Sequence, residues 1–241
     1  MPLDFDGGND YVVIRALVTT ITNITAKSFS CDIYADTWGE GAGGRFIDQR
    51  DPGGSGYYFA LDSANRALRF FQDFSSVDGE FRTAVDSINT GAWYRVGVSY
   101  SRANTANQPV FYINGSAQTT TIISQPSGAA LSDGGRRLCF GADSSGTASF
   151  NGKIGECSLW TGLLTAYDFS LLGSALVKGA HLQIKPASLL FNFWFDELPG
   201  GMVTVAGSSL FVDRSQAEIE AFAGVGTANP TSVSEDFVSY Q

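Results

Sequence analysis

Carboxylates are the first groups in this chain that could do chemistry. Hydrolysis of a glycosidic bond needs two of them flanking the bond, which on a strand means acids at i and i+2 or i+4 on one face. No strand-like run carries such a pair. Asp196 and Glu197 are adjacent and so point to opposite faces, while Asp4 and Asp6 share a face but stand near the N-terminus, where acids serve as calcium ligands or turn residues. Asp4, Asp6, Asp10 and Glu156 are the candidate oxygen ligands for a structural calcium ion, although their spacing does not match an EF-hand loop. His181 has no Ser or Cys signature around it, so it reads as a solvated loop residue and not as part of a hydrolytic triad. Cys31, Cys139 and Cys157 are too widely spaced for a zinc pattern and odd in number, and they read as small buried hydrophobes in a reducing compartment. No catalytic residue emerges, and the chain is expected not to be an enzyme.

Binding is better supplied. Sugars are held by aromatic faces with polar groups beside them, and the candidates are Trp38, Tyr57, Tyr58, Trp93 and Trp160. Trp38 opens a glycine-rich stretch, Trp38-Gly39-Glu40-Gly41-Ala42-Gly43-Gly44, which makes it the best candidate for an exposed contact. From Trp93 to Tyr100 the alternation puts Tyr94, Val96, Val98 and Tyr100 on the apolar face and leaves Trp93 and Arg95 on the other. The plainer reading of Trp93 is a ring packed under a loop or against a second sheet.

The elements that must position these residues are strands. Period-two alternation runs through Phe29–Tyr34, Gly56–Leu61, Ala67–Phe71, Trp93–Tyr100, Pro109–Ile113, Arg137–Gly141 and Gly152–Trp160. Turn chemistry separates these runs, and Asn114-Gly115 is the strongest hairpin signal because both turn positions need positive φ. Like-facing positions predict a core of Phe29, Ile33, Phe59, Leu61, Leu68, Phe70, Tyr94, Val96, Val98, Phe111, Ile113 and Phe140. Two capping boxes break the pattern. Thr165 to Asp168 predicts a short amphipathic helix stopping at Gly179, and Ser215 to Glu218 predicts a second one ending at Gly224.

Composition agrees with an all-β chain and excludes several partners. Among 241 residues, 15 Lys and Arg stand against 24 Asp and Glu, a net charge of −9 that argues against nucleic acid. No stretch reaches the roughly 18 apolar residues of a membrane span, and the acidic start predicts synthesis in the cytoplasm without a secretory leader.

Several landmarks together resemble the laminin-G-like, concanavalin A-like lectin/glucanase superfamily. They are Leu3-Asp4-Phe5-Asp6-Gly7 with Asp10-Tyr11-Val12, Phe29 to Ala35, Asn89 to Tyr100, Val110-Phe111-Tyr112-Ile113-Asn114-Gly115, Phe140-Gly141-Ala142 and Phe150-Asn151-Gly152-Lys153-Ile154-Gly155-Glu156. The resemblance covers roughly residues 1–180, and Gly155 departs from it, since the family usually has an acid there. It implies a two-sheet antiparallel jelly-roll sandwich with one or two short helices, here expected over residues 1–200, followed by a C-terminal extension or arm over 201–241. Ile184 to Trp194 looks like the extension seen in laminin-G-like proteins encoded by bacterial viruses.

That likeness implies a non-enzymatic structural protein of a bacteriophage virion, a capsid decoration or a tail or fibre component, with a lectin-like surface for host or environmental glycans. The partners expected are other virion proteins, further copies of the chain and a polysaccharide. Ile219, Phe222, Phe237 and Tyr240 are too sparse for a separate core and are expected to engage a neighbouring subunit. A carbohydrate-binding module of a bacterial protein is the first alternative and a glycoside hydrolase the second, because this fold hosts all three.

Overall fold

The alternation of Ala26–Ala35 sets the architecture. Lys27, Phe29, Cys31, Ile33 and Ala35 fall on one face, Ser28, Ser30, Asp32 and Tyr34 on the other, and the first set is wholly buried. A computed structural model describes residues 2–14, 21–50, 54–174, 180–194, 201–205, 208–213, 220–224 and 237–238. In chain order its strands are β1 (Leu3–Asp6), β2 (Val12–Ile14), β3 (Ala26–Ala35), β4 (Arg45–Asp48), β5 (Tyr57–Asp62), β6 (Ala67–Gln72), β7 (Gly79–Arg82), β8 (Trp93–Ser101) and β9 (Val110–Ile113). There follow β10 (Ser116–Gln118), β11 (Thr121–Ser124), β12 (Leu138–Phe140), β13 (Asn151–Thr161), β14 (Leu189–Trp194), β15 (Gly201–Val205), β16 (Ser208–Asp213), β17 (Glu220–Gly224) and β18 (Phe237–Val238). Two helices, α1 (Ala166–Ser174) and α2 (Ala180–Gln183), lie between β13 and β14.

Among the described residues the strands form two antiparallel sheets. One has eleven strands in the order β10-β9-β8-β3-β13-β14-β15-β16-β17-β18, with β1 also on β13, and the other has seven in the order β11-β7-β6-β5-β4-β12-β2. The sandwich is all-β, as the periodicity and the resemblance both predict. Each of the seven alternating runs lies on a strand. The predicted core side chains fill one interior between the sheets, with Tyr94 packed at its margin. The hairpin at Asn114 and Gly115 forms with φ of 49° and 80°, joining β9 to β10.

The first capping box is also present. Thr165 N–H donates to Asp168 Oδ2 (2.7 Å) and Asp168 N–H to Thr165 Oγ1 (3.2 Å), and α1 starts at Ala166. Its expected stop, Gly179, lies outside the described residues. The helices make a third layer on the outer face of the eleven-stranded sheet, where Tyr112, Trp160, Leu164, Phe169, Leu172 and Ile184 form a second apolar cluster. Gly97 lets them approach, since a Cβ there would stand 2.3 Å from Phe169 Cε1.

Two expectations are corrected. Cys31 and Cys157 are not separate thiols: they sit opposite each other in the β3–β13 register and form a disulfide across 126 residues of sequence, a pairing set by strand order that spacing along the chain does not reveal. Cys139 is buried, as expected. The second predicted helix is absent over residues 220–224, which form β17 in register with β16 because Glu220 to Gly224 meets a ready strand edge. Residues 215–219, including Ile219, lie outside the described residues, as does Tyr240. From Gly201 the expected arm supplies strands β15 to β18 to the same sheet, and Phe222 and Phe237 are register partners in its last pair.

Candidate functional site

The outer face of the seven-stranded sheet is built from residues that alternate with the core. On β5, Tyr57, Phe59 and Leu61 point inward and Tyr58 and Ala60 outward; on β6, Leu68 and Phe70 point inward and Arg69 and Phe71 outward. Tyr58 and Phe71 are cross-strand partners with parallel rings 4.9 Å apart. Guanidinium groups cover them, with Arg45 4.4 Å and Arg69 5.9 Å from the Tyr58 ring centre and Arg50 4.8 Å from that of Phe71.

A pocket of about 310 Å³ opens above this face, between Arg45, Tyr58, Ala60, Arg69, the loop Glu40 to Gly43, and Thr147 and Ala148. The loop is laid flat on β5 by backbone bonds from Leu61 N–H to Gly44 O (3.0 Å) and Ser63 N–H to Ala42 O (2.9 Å). Gly43 has φ of 139°, and a Cβ there would lie 2.0 Å from Leu61 O, so only glycine permits the contact. Glu40 accepts from Ser149 N–H (3.3 Å) at the rim.

Charges under the pocket are coupled. Arg45 Nη1 donates to Asp48 Oδ2 (2.6 Å) and lies 3.6 Å from Asp143. Burial pushes the Asp48 carboxyl up to about 7, against the pull of Arg45 and the Arg50 N–H bond. Burial also acts to raise Asp143, but hydrogen bonds from Thr147 and Ser145 hold it below its ordinary value. The Tyr58 hydroxyl is raised, mainly by burial. Because its rings are covered, the pocket offers guanidinium and hydroxyl donors, the Glu40 acceptor and backbone edges. Its lining holds one carboxylate, Glu40, where glycoside hydrolysis needs two.

The outer face of the eleven-stranded sheet has two parts. Under the helices a closed polar network lies beside the apolar cluster. His181 is wholly buried, with Nδ1 2.8 Å from Ser158 Oγ and Nε2 3.2 Å from Ser30 Oγ. Ser158 donates to Asn192 Oδ1 (2.6 Å), which leaves its oxygen to accept from Nδ1–H while Ser30 donates to Nε2. Burial, with the nearby Arg95 charge, holds this imidazole well below its usual pKa. The reading of His181 as a solvated loop residue is therefore corrected: α2 carries it onto serines far away in sequence. Beside it, Arg95 grips Asp32 through Nε (2.6 Å) and Nη2 (2.7 Å), donates to Leu172 O (2.6 Å) and lies 3.8 Å from Glu156.

Beyond the helices the same face is open, and there Trp93 is 46% exposed with its ring 5.6 Å from that of Tyr34. Trp93 is thus exposed at the surface, contrary to its plainer reading. Trp38 is half-buried against the core because Gly44 N–H binds its carbonyl (2.8 Å) and folds the loop back. Tyr57 is interior, 5.3 Å from Phe29. Trp160 is interior too, donating to Ile184 O (2.7 Å) to anchor the helix layer. Of the five aromatic candidates, Tyr58 reaches the pocket and Trp93 the opposite surface.

The calcium candidates do not converge. Asp6 and Asp10 close the first turn by accepting from Gly8 N–H (2.7 Å) and Asp6 N–H (3.0 Å), Asp4 lies 3.7 Å from Lys153, and Glu156 is buried accepting from Asn192 (3.0 Å). No group of three His, Cys, Asp or Glu among the described residues is arranged to hold a metal ion. Glu40, Arg45, Arg69 and Thr147 were not singled out by sequence. Their signal was an outward polar residue beside core aromatics, as in Arg45-Phe46 and Arg69-Phe70, but it does not say which outward positions share a pocket.

Comparison with known families decides the class. Residues 6–168 match the concanavalin A-like lectin/glucanases superfamily. The chain belongs to it. Two solved members of the lectin-like fold are similar to this superfamily member. A putative carbohydrate binding protein from Bacteroides ovatus aligns at a TM-score of 0.53 and 17% identity, over 86% of this chain and 57% of that one. The CBM40 of the Ruminococcus gnavus IT-sialidase, bound to α2,3-sialyllactose, aligns at 0.52 and 8% identity, over 71% of this chain and 96% of that one. This chain thus spans little more than half the length of the Bacteroides protein. At these identities the likeness is one of fold. No curated protein matches the sequence.

Proposed function

We propose that this lectin-like jelly roll is a carbohydrate-binding module that holds a glycan without cleaving it, in the pocket above Tyr58. The observation that carries the reading is the pocket's chemistry: two guanidinium groups, a tyrosine, one carboxylate and a glycine loop lining about 310 Å³ on a rigid sheet. Fixed donors and acceptors of this kind match sugar hydroxyls, and the single carboxylate gives no acid and base pair. The two carbohydrate-binding proteins of similar fold support the class of ligand. Isothermal titration against a panel of polysaccharides tests it: Arg69→Ala should weaken binding by roughly tenfold or more, the loss of one charge-assisted hydrogen bond. The same panel should release no reducing ends, and turnover abolished by Glu40→Gln would overturn the binding-only reading.

A second reading, resting on the likeness of Ile184 to Trp194 to an extension in bacterial-virus proteins, is a structural part of a bacteriophage virion that uses the strands from Gly201 to Val238 for attachment. Such an added edge suits mounting on a particle, with other virion proteins or further copies of the chain as partners. Mass spectrometry of purified particles tests this; absence of the chain from them would count against it.

A further inference from the structure

We propose that the open end of the eleven-stranded sheet is a second glycan contact, in which Trp93 takes the apolar face of an uncharged sugar and Tyr34, Lys153, Asp36 and Asp4 bind its hydroxyls. The inference rests on the carbohydrate-binding reading above and concerns the opposite face of the sandwich. Register builds the row: Trp93 on β8 pairs with Tyr34 on β3, Tyr34 with Lys153 on β13, and Lys153 with Asp4 on β1. Four consecutive strands thus present two rings, an ammonium and a carboxylate in one line. The rings are 5.6 Å apart and tilted by 52°, so the Tyr34 ring flanks the indole at an angle. Lys153 Nζ stands 5.2 Å from the Tyr34 ring centre and 3.4 and 3.7 Å from carboxylate oxygens of Asp36 and Asp4.

Three features point to a neutral sugar. The ammonium is balanced by two carboxylates, which leaves no net positive charge to draw an anion. Donor and acceptor groups lie directly beside the rings, as adjacent hydroxyls on one sugar require. Gly155 keeps the ring accessible: a Cβ there would lie 3.8 Å from Trp93 Cζ3 and 3.1 Å from Asp32 Cβ, so a longer side chain would rise against the indole. This is the position where the family resemblance leads one to expect an acid. A protein partner is disfavoured because the large exposed apolar surface in the row is Trp93, interleaved with charge, and not a contiguous apolar patch. With the pocket on the other sheet, one molecule presents two contacts to a polysaccharide, and retention on a polymer then exceeds that of either contact alone.

The test uses the full chain with cellohexaose, laminarin and pectic galactan, read by tryptophan fluorescence titration and by retardation in polysaccharide-containing gels. The wild-type protein should show a sugar-dependent fluorescence change that Trp93→Ala loses, with affinity in the gels falling roughly tenfold in that variant. Gly155→Asp, which leaves Trp93 in place, should blunt the change while circular dichroism stays that of the wild type. Binding undiminished in Trp93→Ala but lost in Arg69→Ala overturns the row and leaves the pocket. Absence of binding to all three sugars by the wild-type chain overturns both.

Discussion

Lys27 is the least expected residue of the interior. It faces the core in phase with Phe29, wholly buried, with Nζ 3.6 Å from the Tyr57 ring centre, 3.1 Å from Gln72 Oε1 and 3.9 Å from Asp133. Burial holds its ammonium well below the ordinary 10.5, with Asp133 opposing that shift. The folded chain therefore sheds a proton that the unfolded chain keeps, so the contribution of Lys27 to stability is full above its ordinary value and falls as pH drops toward the depressed one. Lys27→Met keeps the stem and removes the charge. Urea unfolding should show the wild type gaining on this variant as pH rises toward about 10, above which Tyr57, raised by burial, acts in the opposite sense. Equal slopes would mean that Lys27 carries no such depression. Lys27 keeps the parity of Phe29 on β3, but nothing in its local sequence names Gln72 or Asp133. The same limit explains His181 and the Cys31–Cys157 pair, whose partners are set by strand order. Trp93 and Trp160 show it again: both point outward by parity, and only the helix layer decides that one is exposed and the other buried.

At the scale of elements, β4 and α1 carry the next two expectations. Asp48 on β4 has a carboxyl raised to about 7 in the fold, so its protonated form favours folding; that stability is full below the ordinary value near 3.8 and lost as pH rises through 7. Asp48→Asn should flatten the fall of the melting temperature between pH 4 and 7, although it removes an acceptor for Arg45. On α1, the contact of Phe169 with Gly97 and its stacking on Tyr112 at 3.8 Å hold the helix to the sheet. Gly97→Ala should cost about 1–3 kcal/mol by overpacking, measured by chemical unfolding. The cost should appear as early loosening of the helix layer in hydrogen exchange, with the core between the sheets still protected. Elements with a local signature were legible in advance: the Thr165 box, the Asn114-Gly115 hairpin and the seven alternating runs. The Ser215 box failed over 220–224 because an unpaired strand edge offers a continuous ladder that a short helix cannot match.

For the whole molecule, the sheet continues from β14 through β18 after the superfamily match has ended. Removing everything beyond Trp194 should leave the two-sheet core folded, since Phe29, Phe59, Phe70 and Phe111 all precede the cut. It should also strip β14 of its outer partner, β15, and turn it into an open edge, so the shortened protein should self-associate in light scattering where the full chain does so less. Circular dichroism of an unfolded chain after this cut would show that the late strands belong to the core and are not an addition.

The same meander has a mechanical meaning. Strands β15 to β18 are joined in sequence order, each antiparallel to the one before, so a pull on the C-terminus meets their hydrogen bonds one rung at a time, as a zipper does, and not all at once. Force spectroscopy should show these strands peeling off at low load before the sandwich yields in a single larger event. Under a steady pull the chain would lengthen by these strands before the load reaches the disulfide-linked sandwich.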